Sequence, residues 1–243
     1  MAEHPRPAYY AAARGGWRDW WTLLHPPYTA WHLSYVVIGA ALAPTVHLSR
    51  LLASLLAFFL AVGVAAHALD ELHGRPLRTA IPQRALALVT AVALAGAVVI
   101  GAVGVATVGI VLVPFIVVGP LLVLAYNAEL FGGIVHTDAG FAAAWGAFPV
   151  LTAYVAQSST LRPAAVIAAA GAFALSWAQR ALSTPARMVR RSVQHVEGTM
   201  TMADGTVRDI DARTLLAPLE RALRAMSWGL VTLAAGLAVA RLA

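Results

Sequence analysis

The chain has 243 residues, of which 60% are hydrophobic and only 12% are charged. Soluble domains carry roughly 25% charged residues, so this composition excludes an ordinary water-soluble globular protein. The 17 basic residues are all arginine and give a formal net charge of +6; without lysine the chain has no amine for a retinal Schiff base.

Residues 1–27 are predicted to form an interfacial segment on the cytoplasmic side of a cell membrane. They are rich in tyrosine and tryptophan, which prefer the level of the lipid headgroups. They lack the apolar run of a secretory signal peptide. Residues 28–242 are predicted to form a transmembrane helical domain.

Seven apolar runs follow in this domain. Each has about 20 residues, enough to cross roughly 30 Å of hydrocarbon. Together they predict an all-α fold, a polytopic membrane helix bundle of about seven transmembrane helices. The predicted spans are Tyr28–Val46, Leu51–Leu69, Ala85–Val103, Thr107–Ala125, Ala139–Gln157, Pro163–Gln179 and Ala222–Leu242.

The arginines predict the orientation of these spans. With the N-terminus inside, 14 of the 17 arginines fall on the inner side, and only Arg50, Arg162 and Arg241 fall outside. Cytoplasmic loops carry the excess of basic residues, so we expect the N-terminus in the cytoplasm and the C-terminus outside. This distribution explains the basic charge without nucleic acid, and no nucleic-acid partner is expected.

The last inner connection, residues 180–221, is predicted to form a cytoplasmic cap. Within it, two alternating segments in Thr199–Asp211 flank Asp204-Gly205. A glycine after aspartate between alternating segments is typical of a β-hairpin.

The first cluster of ionisable residues lies at the inner end of the second span. His67, Asp70, Glu71 and His73 lie three or four residues apart in several pairings, so a helix places them near one face. Carboxylates with imidazoles suit a divalent metal, Mg²⁺ where oxygen ligands dominate. Arg75 and Arg78 follow and could bind phosphate. The simpler interpretation is a charged helix end that meets water.

The second cluster lies between the fourth and fifth spans. It contains Asn127, Glu129, His136 and Asp138, and Gly132-Gly133 is predicted to break the helix. We expect Asn127 to contact substrate and the three ionisable residues to position or deprotonate an acceptor. An ordinary interfacial loop is the alternative.

The third cluster follows the sixth span. Gln179 and the arginines that follow it are candidates for binding a phosphate-bearing ligand: Arg180, Arg187, Arg190 and Arg191. Pro185 is expected to break the helix at a cavity mouth. The arginines could equally satisfy the positive-inside rule. In the first span, His25 and His32 are seven residues apart on one helical face, and both are candidate substrate ligands.

Three stretches resemble the UbiA superfamily of intramembrane prenyltransferases, especially its menaquinone-pathway branch. Trp145–Gln157 resembles the branch's Phe-Gly-Pro-Leu-Pro-Val-Leu-Gly-Thr-Tyr helix, and Leu24-His25-Pro26 with Gly39 is similar to the family's first helix. His67–Arg78 falls where the family carries its first aspartate motif. The resemblance covers roughly residues 20–190.

The resemblance implies a helix bundle around a central cavity and prenyl transfer from a lipid diphosphate. The family binds its diphosphate through two Mg²⁺ ions and two aspartate motifs. The stretch Gln179–Arg187, where the second motif should fall, has no carboxylate. At most one metal is therefore expected, held by Asp70 and Glu71 with His67 or His73.

Three functions follow as hypotheses. The leading one is a membrane enzyme that acts on an isoprenoid or similar lipid, most simply by UbiA-like prenyl transfer. The second replaces Mg²⁺ by Zn or Fe on the histidines and carboxylates and modifies a lipid. The third is a non-catalytic lipid- or quinone-binding protein or a transporter. In the enzyme hypotheses we expect the inner loops to converge on one polar chamber. Protein partners are left open.

Overall fold

The computed structural model describes residues 7–243, so the first six residues of the predicted interfacial segment lie outside it. The described chain is helical apart from two short strands and the connecting loops. The helices are α1 (Trp17–Leu23), α2 (Pro26–Ala41), α3 (Leu48–Leu72), α4 (Gln83–Val108), α5 (Ile110–Asn127), α6 (Asp138–Ser158), α7 (Pro163–Arg191) and α8 (Ala212–Leu242), and the strands are β1 (Gly198–Thr201) and β2 (Val207–Ile210).

Six of these helices, α3 to α8, are long and apolar enough to cross a membrane. This supports a multi-pass membrane protein. The helix of the first predicted span, α2, has 16 residues and therefore a length of about 24 Å, less than the roughly 30 Å of a bilayer core. The described residues thus give six such helices, and the seventh span stays a prediction.

The end of α7 and the start of α8 differ from the prediction. Helix α7 continues to Arg191 through Pro185 and does not end at Gln179. Proline removes one backbone hydrogen bond, but Ser183, Ala186 and Val189 remain buried against the bundle, so packing maintains the helix. Helix α8 begins at Ala212, ten residues before the predicted start, with Asp211 as its N-cap. Pro185 therefore marks no break.

Helix α2 lies in the middle of the bundle, packed against α6 and α8. Its Trp31, Tyr35 and Val36 side chains are buried. The indole of Trp31 donates a hydrogen bond to the Tyr35 hydroxyl (2.9 Å), and the Ser176 hydroxyl of α7 donates to the same oxygen (3.1 Å). These contacts fix the position of α2, which carries His32 and begins directly after its N-cap residue His25.

Two helices contain a π-helical segment that periodicity did not predict. Residues Phe59–Ala66 of α3 and Ala143–Ala147 of α6 are π-helical. A π turn adds a residue to the helical repeat and changes which side chains face the interior downstream; such turns occur frequently at functional sites. His67 and Asp70 follow the first segment directly.

The strands β1 and β2 form the predicted hairpin. They pair antiparallel, with Gly198 opposite Ile210 and Thr201 opposite Val207. Gly205 in the turn has φ +83°, a conformation that glycine adopts without strain. The prediction of a small β-hairpin within Thr199–Asp211 is confirmed.

At the opposite end of the bundle, two of the three predicted outer arginines bind backbone carbonyls. Arg50 donates to the carbonyls of Thr107 (2.7 Å) and Gln157 (3.1 Å). Arg241 donates to those of Ala43 (2.7 Å) and Pro44. Helix C-termini leave such carbonyls without intrahelical partners, so these arginines satisfy them.

Candidate functional site

A polar cavity of about 360 Å³ lies at one end of the bundle; we call it the chamber. Ends of α2, α3, α5, α6, α7 and α8 surround it. Most of the predicted site residues line it, and they come from all the clusters singled out in the sequence: His25, His32, His67, Asp70, His73, Asn127, Glu129, His136, Gln179, Arg180 and Arg187. The structure therefore brings residues from these separate segments to one polar chamber, as expected.

Glu71 does not line the chamber, although it was predicted as a catalytic residue and metal ligand. Its carboxylate is fully buried and accepts hydrogen bonds from the backbone N–H of Leu77 (2.9 Å) and from the N–H and hydroxyl of Thr79 (2.8 and 2.9 Å). Neighbouring residues on a helix point about 100° apart, so Asp70 faces the chamber and Glu71 faces the following loop. Glu71 holds that loop in place.

Three other predicted site residues also lie outside the chamber lining. Arg75 donates to the backbone carbonyls of Thr79 (3.2 Å) and Ile81 (2.6 Å) and stabilises the loop after α3. Arg78 is exposed with φ +54°. Asp138 forms an ion pair with Arg180 (2.9 Å). Arg180 lines the chamber, but Asp138 itself does not.

Four arginines of α7 line the chamber, but their partners differ. Arg180 pairs with Asp138, and Arg190 forms an ion pair with Glu220 of α8. Arg187 donates to the hydroxyls of Ser183 (3.2 Å) and Thr184 (3.1 Å), and Arg191 to the carbonyl of Pro7 (3.3 Å). Among residues 7–243, neither Arg187 nor Arg191 has a carboxylate partner, so two guanidinium charges remain for an anion.

Three histidines face the chamber with a defined ring orientation. The Nδ1 atom of His32 lies 2.9 Å from the carbonyl oxygen of Trp145. The Nδ1 atom of His67 lies 3.0 Å from the carbonyl oxygen of Gly63, and that of His136 lies 2.8 Å from the carbonyl oxygen of Tyr126. The ring of Tyr126 also stacks on His136, with 4.4 Å between centroids.

The N-terminal segment forms part of the chamber, which the sequence did not predict. Residues 7–10 line it, and the Tyr10 hydroxyl is hydrogen-bonded to Nδ1 of His25. Burial raises the pKa of the Tyr10 phenol well above its usual value. Burial, with the neighbouring His67, lowers the pKa of His25 well below its usual value. Both side chains are therefore neutral at pH 7.

Arg190 and Arg191, which belong to the predicted arginine cluster, also line the chamber. Two other lining residues, Tyr9 and Glu220, were missed as site residues. Arg224 lies over the Tyr9 ring, 4.7 Å from its centroid, and attaches the N-terminal segment to α8. One signal could have indicated Glu220: it lies two residues before the predicted apolar span Ala222–Leu242, and a buried carboxylate needs a partner, which Arg190 supplies.

A second cavity of about 400 Å³ lies between α3, α4, α5 and α6. Its walls are mostly apolar, with Phe58, Phe115 and Ile116 among the larger side chains, and Arg50 lies among the few polar lining residues. Val62 and Trp145 line both this apolar cavity and the chamber, so they form the boundary between the two. A polar and an apolar cavity of similar volume thus lie side by side.

The described residues do not fit the predicted metal site. Within the part of the chain that the structure describes, no three His, Asp or Glu side chains are grouped to hold a metal ion. Asp70 and His73 line the chamber, but the Glu71 carboxylate is already bound by the loop. We therefore derive no step through a metal.

Comparisons of the chain with protein-family models, with curated proteins and with solved structures found no match. The resemblance to the UbiA superfamily stays a prediction that depends on its motifs.

Proposed function

We propose that the protein is a multi-pass membrane enzyme that acts on an isoprenoid or similar lipid diphosphate, with UbiA-like prenyl transfer as the reaction. In this proposal α2 is a seventh pass of the bundle, and the chamber faces the cytoplasm. One observation carries the proposal: an arginine-lined chamber borders an apolar cavity at Val62 and Trp145.

The chamber suits an anionic headgroup. Arg187 and Arg191 come from one face of α7, four residues apart. Guanidinium groups bind phosphate oxygens through paired N–H bonds. Their attraction for a phosphate exceeds that in bulk water, because the surrounding protein has a lower effective dielectric constant. A ligand with two phosphates can contact both arginines.

The apolar cavity suits the hydrocarbon chain of the same molecule. In this proposal the headgroup lies in the chamber and the chain passes Val62 and Trp145, which line both cavities, to lie among the side chains of α3, α5 and α6. Burial of apolar surface contributes about 25 cal/mol per Å². A free inorganic diphosphate gains only the headgroup contacts, so the two cavities together select an amphiphile.

In the proposed reaction the bond between the prenyl carbon and the diphosphate oxygen breaks, and the acceptor forms a bond to that carbon. Arg187 and Arg191 stabilise the charge that develops on the departing diphosphate. The acceptor loses a proton to a chamber base, for which Asp70, Glu129 and His136 are candidates. The Nδ1 atom of His136 lies 3.9 Å from the Glu129 carboxylate.

The proposal is tested by direct binding to the purified protein in lipid nanodiscs. We expect geranylgeranyl diphosphate to bind at least tenfold more tightly than either geranylgeraniol or inorganic diphosphate, since each of these lacks one half of the ligand. Equal affinity for the alcohol would contradict the headgroup assignment. Absence of saturable binding would contradict the whole proposal.

A second experiment measures product formation and so distinguishes an enzyme from a protein that only binds the lipid. Incubation with radiolabelled geranylgeranyl diphosphate and a membrane lipid extract should release inorganic diphosphate and label a lipid. Tight binding without release would indicate a non-catalytic lipid-binding protein instead. Release that depends on Zn or Fe retained by the protein would favour the transition-metal hypothesis.

A further inference from the structure

Helix α1 has two opposite faces that differ in chemistry. Side chains three and four residues apart share a face of a helix. One such set consists of tryptophans, all exposed, and we call it the indole face: Trp17, Trp20 and Trp21. The other set is buried: Asp19, Thr22 and Leu23. The helix therefore presents three indoles away from the bundle.

The buried face attaches α1 to the place where α4 begins. Leu23 belongs to a buried apolar cluster with Leu86, in the first turn of α4. The Asp19 carboxylate accepts a hydrogen bond from the backbone N–H of Ala80 (3.0 Å), just before that helix. Leu88 of α4 is largely exposed, as a side chain in contact with lipid would be. Helix α1 thus lies where a helix long enough to cross the membrane has its end.

The exposed charges next to the indole face are all positive. Between residues 11 and 24 the charged side chains are Arg14, Arg18 and Asp19, and both arginines are exposed. Neither arginine forms an ion pair or a hydrogen bond within the described part of the chain, and the Arg18 guanidinium lies over the Trp17 ring (5.9 Å to the centroid). Asp19 is buried and bound by backbone N–H groups. No exposed carboxylate of this stretch opposes the two positive charges.

We infer that α1 docks on the membrane surface at the chamber end of the bundle and binds anionic lipid headgroups there. The three indoles lie at the level of the headgroups, which tryptophan prefers, and Arg14 and Arg18 contact the lipid phosphates. Composition predicts only an interfacial location for residues 1–27. The structure assigns the contact to one face of α1 and adds a preference for anionic lipid.

The same helix holds two walls of the chamber. One carboxylate oxygen of Asp19 accepts from the N–H of Gly15 (3.0 Å), in the N-terminal segment whose residues 7–10 line the chamber. The other accepts from the N–H of Ala80, in the loop of residues 73–82, two of which line it. Docking of α1 therefore steadies both segments over the chamber.

The test uses the absence of cysteine from the chain, which lets a single introduced cysteine carry a label. Trp21→Cys with an NBD fluorophore is placed in nanodiscs whose lipids carry a nitroxide at headgroup level. We expect quenching to be greater by about twofold or more when phosphatidylglycerol is added to phosphatidylcholine, and high salt to reduce this difference. Replacing Arg14 and Arg18 together by Gln should abolish it. The matched control replaces the exposed Arg208 and Arg213 by Gln and should keep it.

Equal quenching in the two lipid mixtures, or a difference that survives the loss of Arg14 and Arg18, would overturn the inference. A second measurement tests the effect on the chamber. Ala8→Cys lies in the chamber lining and is buried, so it should react with a maleimide more slowly, by about twofold or more, in the anionic nanodiscs. An unchanged rate would overturn the link between docking and the chamber. Neither measurement uses a prenyl diphosphate, so both results are independent of the proposed function.

Discussion

An Arg187→Ala variant is expected to bind geranylgeranyl diphosphate about 10- to 100-fold more weakly than the wild-type protein. Arg187 lines the chamber, is oriented by the hydroxyls of Ser183 and Thr184, and has no carboxylate partner among the described residues. Its charge is therefore available to a ligand. Hydrogen bonds to charged groups contribute about 1.5–3 kcal/mol each, which corresponds to the expected loss.

Two controls make this expectation specific. Arg208→Ala removes the same charge from β2, outside the chamber lining, and should leave the affinity within a factor of two or so, since an exposed charge is screened by salt. Arg187→Lys keeps the charge but loses the planar pair of donors, so it should lie between the two. Equal affinities of Arg187→Ala and the wild-type protein would refute the role of Arg187, as would an equal loss for geranylgeraniol.

A Gly39→Ala substitution is expected to destabilise the bundle strongly. An alanine Cβ at this position would lie 2.3 Å from the carbonyl oxygen of Val150 and 2.9 Å from its Cα. Both are backbone atoms, so α2 and α6 would have to separate by about 1 Å to restore an ordinary contact. Overpacking of this kind costs about 1–3 kcal/mol and occasionally more.

Thermal unfolding of the detergent-purified protein measures this effect. Gly39→Ala should lower the Tm by roughly 5–10 °C. Gly171→Ala in α7 is the matched control, because its Cβ would meet no atom within 4 Å, and alanine in a helix interior is favoured over glycine by roughly 0.5–1 kcal/mol. Equal Tm values for the two variants would show that α2 and α6 are not in close contact.

The apolar runs and turn residues predict much of the fold. Runs of about 20 apolar residues are hard to reconcile with anything but helices that cross lipid, and the Asp204-Gly205 turn predicts the hairpin because few other residues adopt φ near +83°. Gly132 and Gly133 lie in the connection between α5 and α6, with φ +70° and +75°, although α5 already ends at Asn127.

The sequence could not predict which individual side chains point into the chamber. Asp70 and Glu71 are adjacent and chemically alike, and only the rotation of α3 decides which one enters the chamber. The π-helical segment Phe59–Ala66 changes that rotation. No local sequence pattern predicted this segment. Periodicity assumes a constant 3.6 residues per turn, so it fails downstream of such a segment.

Long-range contacts account for the other differences. Tyr10 reaches His25 because the N-terminal segment folds back over the chamber, and α7 continues through Pro185 because its buried face packs against neighbouring helices. Neither feature depends on nearby residues alone. That the separate polar clusters meet follows from topology, because spans of alternating direction return every second connection to the same side of the bundle.

The most direct measurement is photolabelling with a geranylgeranyl diphosphate that carries a diazirine at the far end of its chain, followed by mass spectrometry of the labelled peptides. We expect labelling of apolar-cavity residues such as Phe115 and Phe148, competition by unlabelled geranylgeranyl diphosphate, and loss of labelling in Arg187→Ala. Labelling confined to lipid-facing residues outside that cavity, without competition, would show that the chamber and the apolar cavity do not hold one ligand.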